Sequence, residues 1–198
     1  MPLPVLPNNA FRSVQRIPLV AQGGTQSPFS YETQVADWGG EAWSYEIQFY
    51  SQNGDDGRAL AAFFTNLKGR SGTFILKDPS GFNSASLGTP LVNGASQSGY
   101  SLITDGWTPS ITVLKAGYFI QLGTDDTSRL HMVTEDATSD GSGNATLTIW
   151  PAIRETPADN AVIVTDEPGV VLRLDGTPPH RIAPHADFSF TMTATEVI

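Results

Sequence analysis

The chain has 198 residues, no cysteine, and a net charge of −9 from 20 acidic and 11 basic side chains. The missing cysteines exclude disulfides, thiolate metal sites and cysteine nucleophiles, and the acidic balance argues against a phosphate-neutralising surface for tight nucleic-acid binding. With 39% hydrophobic and 16% charged residues, 19 glycines and 14 prolines, the composition fits a folded, turn-rich, mainly β protein of one large or two small domains.

The opening MPLPVLPNNAFRS has neither the charged start nor the apolar core of a signal peptide, and no apolar run reaches the ~18–20 residues of a membrane span. A soluble chain made in the cytoplasm is expected. Pro2, Pro4 and Pro7 favour an extended segment, either an arm on a neighbouring surface or a frayed end. Residues 14–20 and 29–36 are rich in β-branched and aromatic side chains and read as two strands separated by the loop AQGGTQSP. Tyr31, Thr33, Val35 and Asp37 alternate with Glu32, Gln34 and Ala36, as in a half-exposed strand.

Trp38 and Trp43 flank GGEA, after which Trp43, Tyr45, Ile47 and Phe49 repeat with period two against Ser44, Glu46, Gln48 and Tyr50. One face is aromatic and the other polar. Such a face is usually core, although paired tryptophans also suit stacking on sugars. The stretch NGDDGRALAAFFTNLKG follows, with Leu60, Phe63, Phe64 and Leu67 at i, i+3, i+4 and i+7, which predicts a helix over residues 55–68. Asn53 or Asp55 can cap its start and Gly69 its end. Trp38, Trp43, Tyr45, Ile47, Leu60, Phe63, Phe64 and Leu67 are the expected organisers of the core, with the helix packed on the aromatic strand. GTFILKDP then reads as a strand burying Phe74, Ile75 and Leu76 and ending at Asp78-Pro79.

A Gly-, Ser- and Asn-rich stretch beginning near residues 81–86 suggests a domain boundary. From 87 to 164 short candidates alternate with turns: LITDGW, ITVLKAG, YFIQLG, RLHMVTE, ATLTIWP and AVIVT, the spacing of a small barrel or sandwich. Near the C-terminus Phe188, Phe190 and Met192 alternate in a strand that can return to the first unit. The expected architecture is therefore mainly β. An N-terminal β-sandwich with one packed helix comprises residues 1–82 and 168–198, and a second small β-barrel or sandwich, residues 83–167, is inserted into it.

No chemical constellation stands out. Asp136, Asp140 and Asn144 place oxygen ligands in a Gly-containing loop, but the EF-hand spacing and its terminal Glu are missing, which leaves a calcium site or a solvated turn. Asp125-Asp126 and Asp166-Glu167 read as exposed loop charges. His180 and His185 lie across a proline-containing loop, and His131 sits in a strand candidate where packing or hydrogen bonding accounts for it. A G-x-S-x-G elbow and phosphate-binding glycine motifs are absent, and nothing selects a carboxylate pair among the 20 acids. Enzyme activity, cofactors and metals are not expected.

The proline-led start, W-G-G-E-A-W-S-Y-E, the run F-F-x-x-L-x-G-R-x-G-x-F-x-L-x-D-P from Phe63 to Pro79, and the block from Gly117 to Arg154 together resemble the distal tail proteins of long-tailed bacteriophages. That resemblance implies a belt domain carrying a helix, six copies of which close into a ring, and a second β domain facing outward. The implied partners are further copies of the chain, a tail tube protein above and a tail-tip hub protein below. DNA passes only transiently through the shared channel, no membrane is engaged, and the protein resides in the virion tail tip. No set of functional residues transfers. The competing readings are a glycan- or receptor-binding β module using Trp38, Trp43 or Trp107, and a tail-associated glycan hydrolase.

Overall fold

The computed structural model describes residues 2–7, 11–80, 86–184 and 187–198. Its first elements are β1 (Phe11–Gln26), β2 (Thr33–Phe49), β3 (Gln52–Asn53), α1 (Gly54–Asn66) and β4 (Thr73–Lys77). A middle group follows: β5 (Gly88–Val92), β6 (Gly99–Trp107), β7 (Thr112–Leu114), β8 (Phe119–Leu122), β9 (Arg129–Val133), β10 (Ala137–Thr138) and β11 (Ala145–Ile153). The chain closes with β12 (Gly169–Leu174), β13 (His180–Ala183) and β14 (Asp187–Glu196). The fold is mainly β.

The first and last groups share one sheet, in the order β1-β2-β14-β12-β4, with β3 and β13 also paired to β14. The middle group forms a second sheet, β5-β6-β11-β9-β8, beside the short pair β10-β7. The period-two pattern sets the inward faces. Trp43, Tyr45, Ile47 and Phe49 of β2 and Phe188, Phe190, Met192 and Ala194 of β14 are all buried on one side of the first sheet. A separate buried cluster around Leu102, Leu147 and Ile149 fills the second.

The helix begins one residue before the expected start, at Gly54, and ends two residues early, at Asn66, where Lys68 and Gly69 turn left-handed. Lys68, not Gly69, takes the first left-handed position, and the Gly72 N–H closes on the Leu67 carbonyl at 2.8 Å. The Asn53 side chain makes no capping bond, and Asp55 pairs with Arg58 at 2.8 Å instead. Leu60, Phe64 and Leu67 are buried, while Phe63 is half-buried between Phe64 and Phe74, at ring separations of 5.7 and 5.9 Å. Phe64 meets Phe49 and Phe190, at 6.0 and 5.8 Å. At Gly57 an added Cβ would lie 2.4 Å from the Phe188 ring, so only glycine lets the helix approach β14 this closely. The helix thus covers β14 and the far end of β2. Trp43 packs elsewhere, edge-on to Trp150 and Phe119 of the second sheet.

Several local expectations change. Residues 14–20 and 29–36 are not two strands around a loop: AQGGTQ belongs to β1, and β1 and β2 form one long hairpin turning through residues 27–32. Pairing runs from Phe11↔Phe49 to Gln26↔Thr33, so the Gly23-Gly24 pair lies inside the ribbon. Residues 33–40 are exposed on both faces instead of half-exposed. Phe74 and Leu76 are buried, but Ile75 alternates outward and is half-buried. Its main chain carries the N-terminal arm: the Leu6 N–H reaches the Ile75 carbonyl at 2.8 Å, the Ile75 N–H reaches Pro4 at 2.9 Å, and Leu6 is buried. The arm therefore seals an edge of its own sheet. AVIVT contributes only the isolated bridges Leu91↔Val162 and Gln121↔Val164. Of the stretch read as a domain boundary, residues 81–85 lie outside the described residues.

Candidate functional site

The β1-β2 hairpin changes support along its length. At its root, β2 pairs with β14 from Gln48 to Ser44, and its odd-numbered side chains enter the core. Beyond Ser44, β14 stops and, among the described residues, β1 is the sole strand partner of β2. Residues 19–40 are all solvent-exposed apart from half-buried Gly23 and Ser27. The outer ribbon nonetheless stays regular. The Ser27 N–H bonds the Glu32 carbonyl at 2.9 Å, the Tyr31 N–H returns to Ser27 at 2.9 Å, and Tyr31 adopts a left-handed conformation (φ +58°).

This outer half leaves several large apolar side chains in solvent. Phe29 at the tip is 95% exposed, Trp38 71% and Val35 63%, with Leu19, Val20 and Tyr31 also exposed. Trp38 is therefore not a core organiser. Its ring lies across Gly23, where a Cβ would approach it to 2.6 Å. Isolated two-stranded ribbons are marginal in water, and clustered exposed apolar side chains mark interaction surfaces.

The root is fastened to the second sheet by two buried carboxylates. Glu41 accepts hydrogen bonds from Tyr100 Oη at 2.8 Å, Trp150 Nε1 at 2.9 Å and the Ala152 N–H at 2.8 Å. That contact holds the Tyr100 hydroxyl above its ordinary pKa, through its hydrogen bond to Glu41. Glu196, at the end of β14, accepts the Trp43 N–H at 3.0 Å and faces Arg154 at 3.4 Å. Burial pushes the Glu196 carboxyl up, against the opposing pull of Arg154. Trp43 Nε1 donates to the Leu130 carbonyl at 3.0 Å. Arg16 pairs with buried Asp78, donates to Tyr45 Oη at 3.2 Å, and sets its guanidinium 3.8 Å over the Phe119 ring. Burial drives the Tyr45 hydroxyl pKa upward.

An open cleft of about 540 Å3 lies against this root, lined by Pro18, Val20, Trp43, Phe119, Met132 and Trp150 together with Arg16 and Thr134. Its walls come from β1, β2, β8, β9 and β11, so it exists only because the two sheets meet here. Neither the cleft nor the Glu41 cluster is signalled by a sequence motif.

The other candidates have structural explanations. Asp140 turns inward on its own loop, accepting the Ser142 and Asn144 N–H groups at 2.8 and 2.9 Å and Asn144 Nδ2 at 2.9 Å, which lowers its carboxyl pKa. Asp136 accepts the Ala116 N–H at 2.9 Å instead of joining it. No cluster of three potential metal ligands occurs among the described residues. His131 is buried and donates Nδ1–H to the Pro151 carbonyl at 2.7 Å, and burial lowers its pKa to about 4. His180 stands 6.0 Å from the Phe190 ring, and His185 lies outside the described residues. Trp107 is buried with Nε1 on Thr104 at 2.7 Å, so neither it nor buried Trp43 offers a face to a sugar. No described helix is long and apolar enough to cross a membrane. No protein-family model matches the chain, and no curated protein matches it either.

Proposed function

We propose that this chain is a structural subunit of a bacteriophage tail tip that assembles with further copies of itself into a ring, the ring joining the tail tube to the hub and continuing the DNA channel. The observation that carries the reading is the outer half of the β1-β2 hairpin, a regular ribbon with Phe29, Val35 and Trp38 in solvent and no core of its own. The resemblance of the segment from Phe63 to Pro79 to distal tail proteins supports the particular setting. The net charge of −9 suits a channel through which DNA slides without adhering, since affinity grows with the phosphates a surface neutralises. Six copies and the tube and hub as neighbours are the arrangement the resemblance favours.

Mass photometry and negative-stain imaging of the purified chain test this reading. A closed ring of defined copy number is expected, with the protein located at the tail end of intact particles. A chain that remains monomeric and is absent from virions overturns it. One observation favours a second reading, a glycan-binding module: the exposed Trp38 ring beside Gly23. Tryptophan fluorescence that responds to host glycans, and loses that response in Trp38→Ala, supports it; a flat titration removes it.

A further inference from the structure

We infer that a cavity at the second sheet binds a small carboxylate that also carries a hydroxyl, with the carboxylate on Arg154 and the hydroxyl donating to His131. The cavity, of about 200 Å3, is lined by residues of β8, β9 and β11 and of the segment 154–161. It lies within one chain, so the inference holds whether or not copies assemble into a ring. A cavity of ~150 Å3 admits benzene, and this one has room for a short acid or a single sugar acid.

Two arginines line the cavity in different states. Alternation along β9 puts Arg129 on the same face as His131, and Arg154 follows the end of β11. Arg129 is held in place by Glu155 at 2.7 Å and by the Asp126 and Ser128 carbonyls at 3.0 and 3.2 Å. Arg154 is not. Of the N–H donors on its guanidinium, the described residues accept one, through Glu196 at 3.4 Å, and its Nη1 is buried with no partner among them. Each arginine has a carboxylate neighbour, so it is the unused donors of Arg154, not surplus charge, that call for an acceptor. The local field still suits an anion, because Arg154 and Arg129 each weigh on the His131 ring more than Glu41 does. A carboxylate matches the planar guanidinium fork.

His131 sets the complementary requirement. Its Nδ1–H is committed to the Pro151 carbonyl at 2.7 Å, and the ring is neutral at pH 7. Nε2 is therefore a lone-pair acceptor, and it makes no hydrogen bond among the described residues. A carboxylate alone would set a negative oxygen against that lone pair, whereas a hydroxyl on the same molecule donates to it. Leu122, Ala152, Pro157 and Ala161 form the apolar remainder of the wall, which favours a carbon skeleton over inorganic phosphate.

Ligand-observed NMR titration of the full chain tests the site, with lactate and glucuronate as probes. Propionate, which lacks the hydroxyl, and lactamide, which lacks the charge, are the controls. At least one probe should bind with a Kd of roughly millimolar order, at least about tenfold tighter than either control, and shift the His131 ring resonance. Binding of lactate alone assigns a free hydroxy acid, and stronger binding of glucuronate assigns the acid unit of a polysaccharide. Arg154→Gln should weaken binding by at least about tenfold. Ala158→Phe, at an exposed position on the cavity wall, leaves the Arg154 and His131 bonds in place and should abolish binding with the melting temperature kept. The inference is overturned if neither probe binds up to about 50 mM, if propionate binds as tightly as lactate and glucuronate, or if binding survives Ala158→Phe.

Discussion

The inner and outer halves of the β1-β2 hairpin have the same backbone pairing and opposite surroundings. In the inner half, Trp43, Tyr45, Ile47 and Phe49 face Phe190, Phe64 and the second sheet, and β14 closes the hydrogen bonds on the other side. In the outer half the ladder continues to Gln26↔Thr33, yet Phe29, Val35 and Trp38 stand in water. The difference teaches that strand formation and apolar content are separate signals. Alternation and turn chemistry suffice to write a ribbon, but only a covering surface makes its side chains part of a fold. Side chains left uncovered by their own chain point to a partner.

The sharpest way to break this contrast is at the root. Trp43→Ala removes a ring that joins both sheets and leaves the Leu130 carbonyl without its donor. The expected loss is about 3–5 kcal/mol, an order of magnitude for large-to-small core changes. For a chain of this size that lowers the melting temperature by roughly 10 °C, readable by circular dichroism. An unchanged melt would mean that the inner half is no better supported than the outer.

Glu41 comes next. Glu41→Ala strands the Tyr100 hydroxyl, the Trp150 indole and the Ala152 N–H, and leaving buried donors unpaired costs about 1–3 kcal/mol each, less where water can enter. A loss of about 3 kcal/mol in urea unfolding is expected, with Trp150 fluorescence shifting because its indole donor is freed. Tyr100→Phe, which removes one donor near the surface, should cost much less.

His131 offers a comparison by pH. Its folded pKa of about 4 lies below the unfolded value of 6.5. The unfolded chain therefore binds more protons between these values, and stability rises with pH across that window. Acidifying from neutrality toward pH 4 should cost up to the order of 3 kcal/mol at this site. The drop should shrink in His131→Gln, measured as the pH dependence of urea midpoints. Glu196, whose folded carboxyl is raised, acts in the opposite direction: its contribution is present at low pH and lost as pH rises through its folded value, which blunts the His131 slope.

Much of the first sheet was legible from the chain itself. The period-two run at residues 43–49, the helix spacing at Leu60, Phe64 and Leu67, and the alternating Phe188, Phe190 and Met192 each need only local periodicity, and each lies in one packed cluster. The hairpin was harder to read because Gly23 and Gly24 look like a loop in sequence. Their function in the ribbon, making room for the Trp38 ring, depends on a cross-strand neighbour fifteen residues on. Trp38 reads as core in the sequence because composition cannot distinguish an aromatic side chain that faces its own sheet from one that faces solvent. The candidate cleft was illegible for a related reason: Val20, Phe119, Met132 and Trp150 come together only through the meeting of two sheets, and Glu41 gains its three donors from segments 59 to 111 residues away.

The central claim is that the outer hairpin belongs to assembly and not to the fold. The most direct measurement replaces residues 22–37 with a two-residue Asn-Gly turn, which suits a two-stranded hairpin, and compares the shortened and intact chains. Below the concentration at which the intact chain assembles, the two should unfold within about 0.5 kcal/mol of each other, as surface changes away from packed features do. At higher concentration only the intact chain should form rings by mass photometry. A shortened chain that loses several kcal/mol of stability, or one that still closes into rings, would contradict the account.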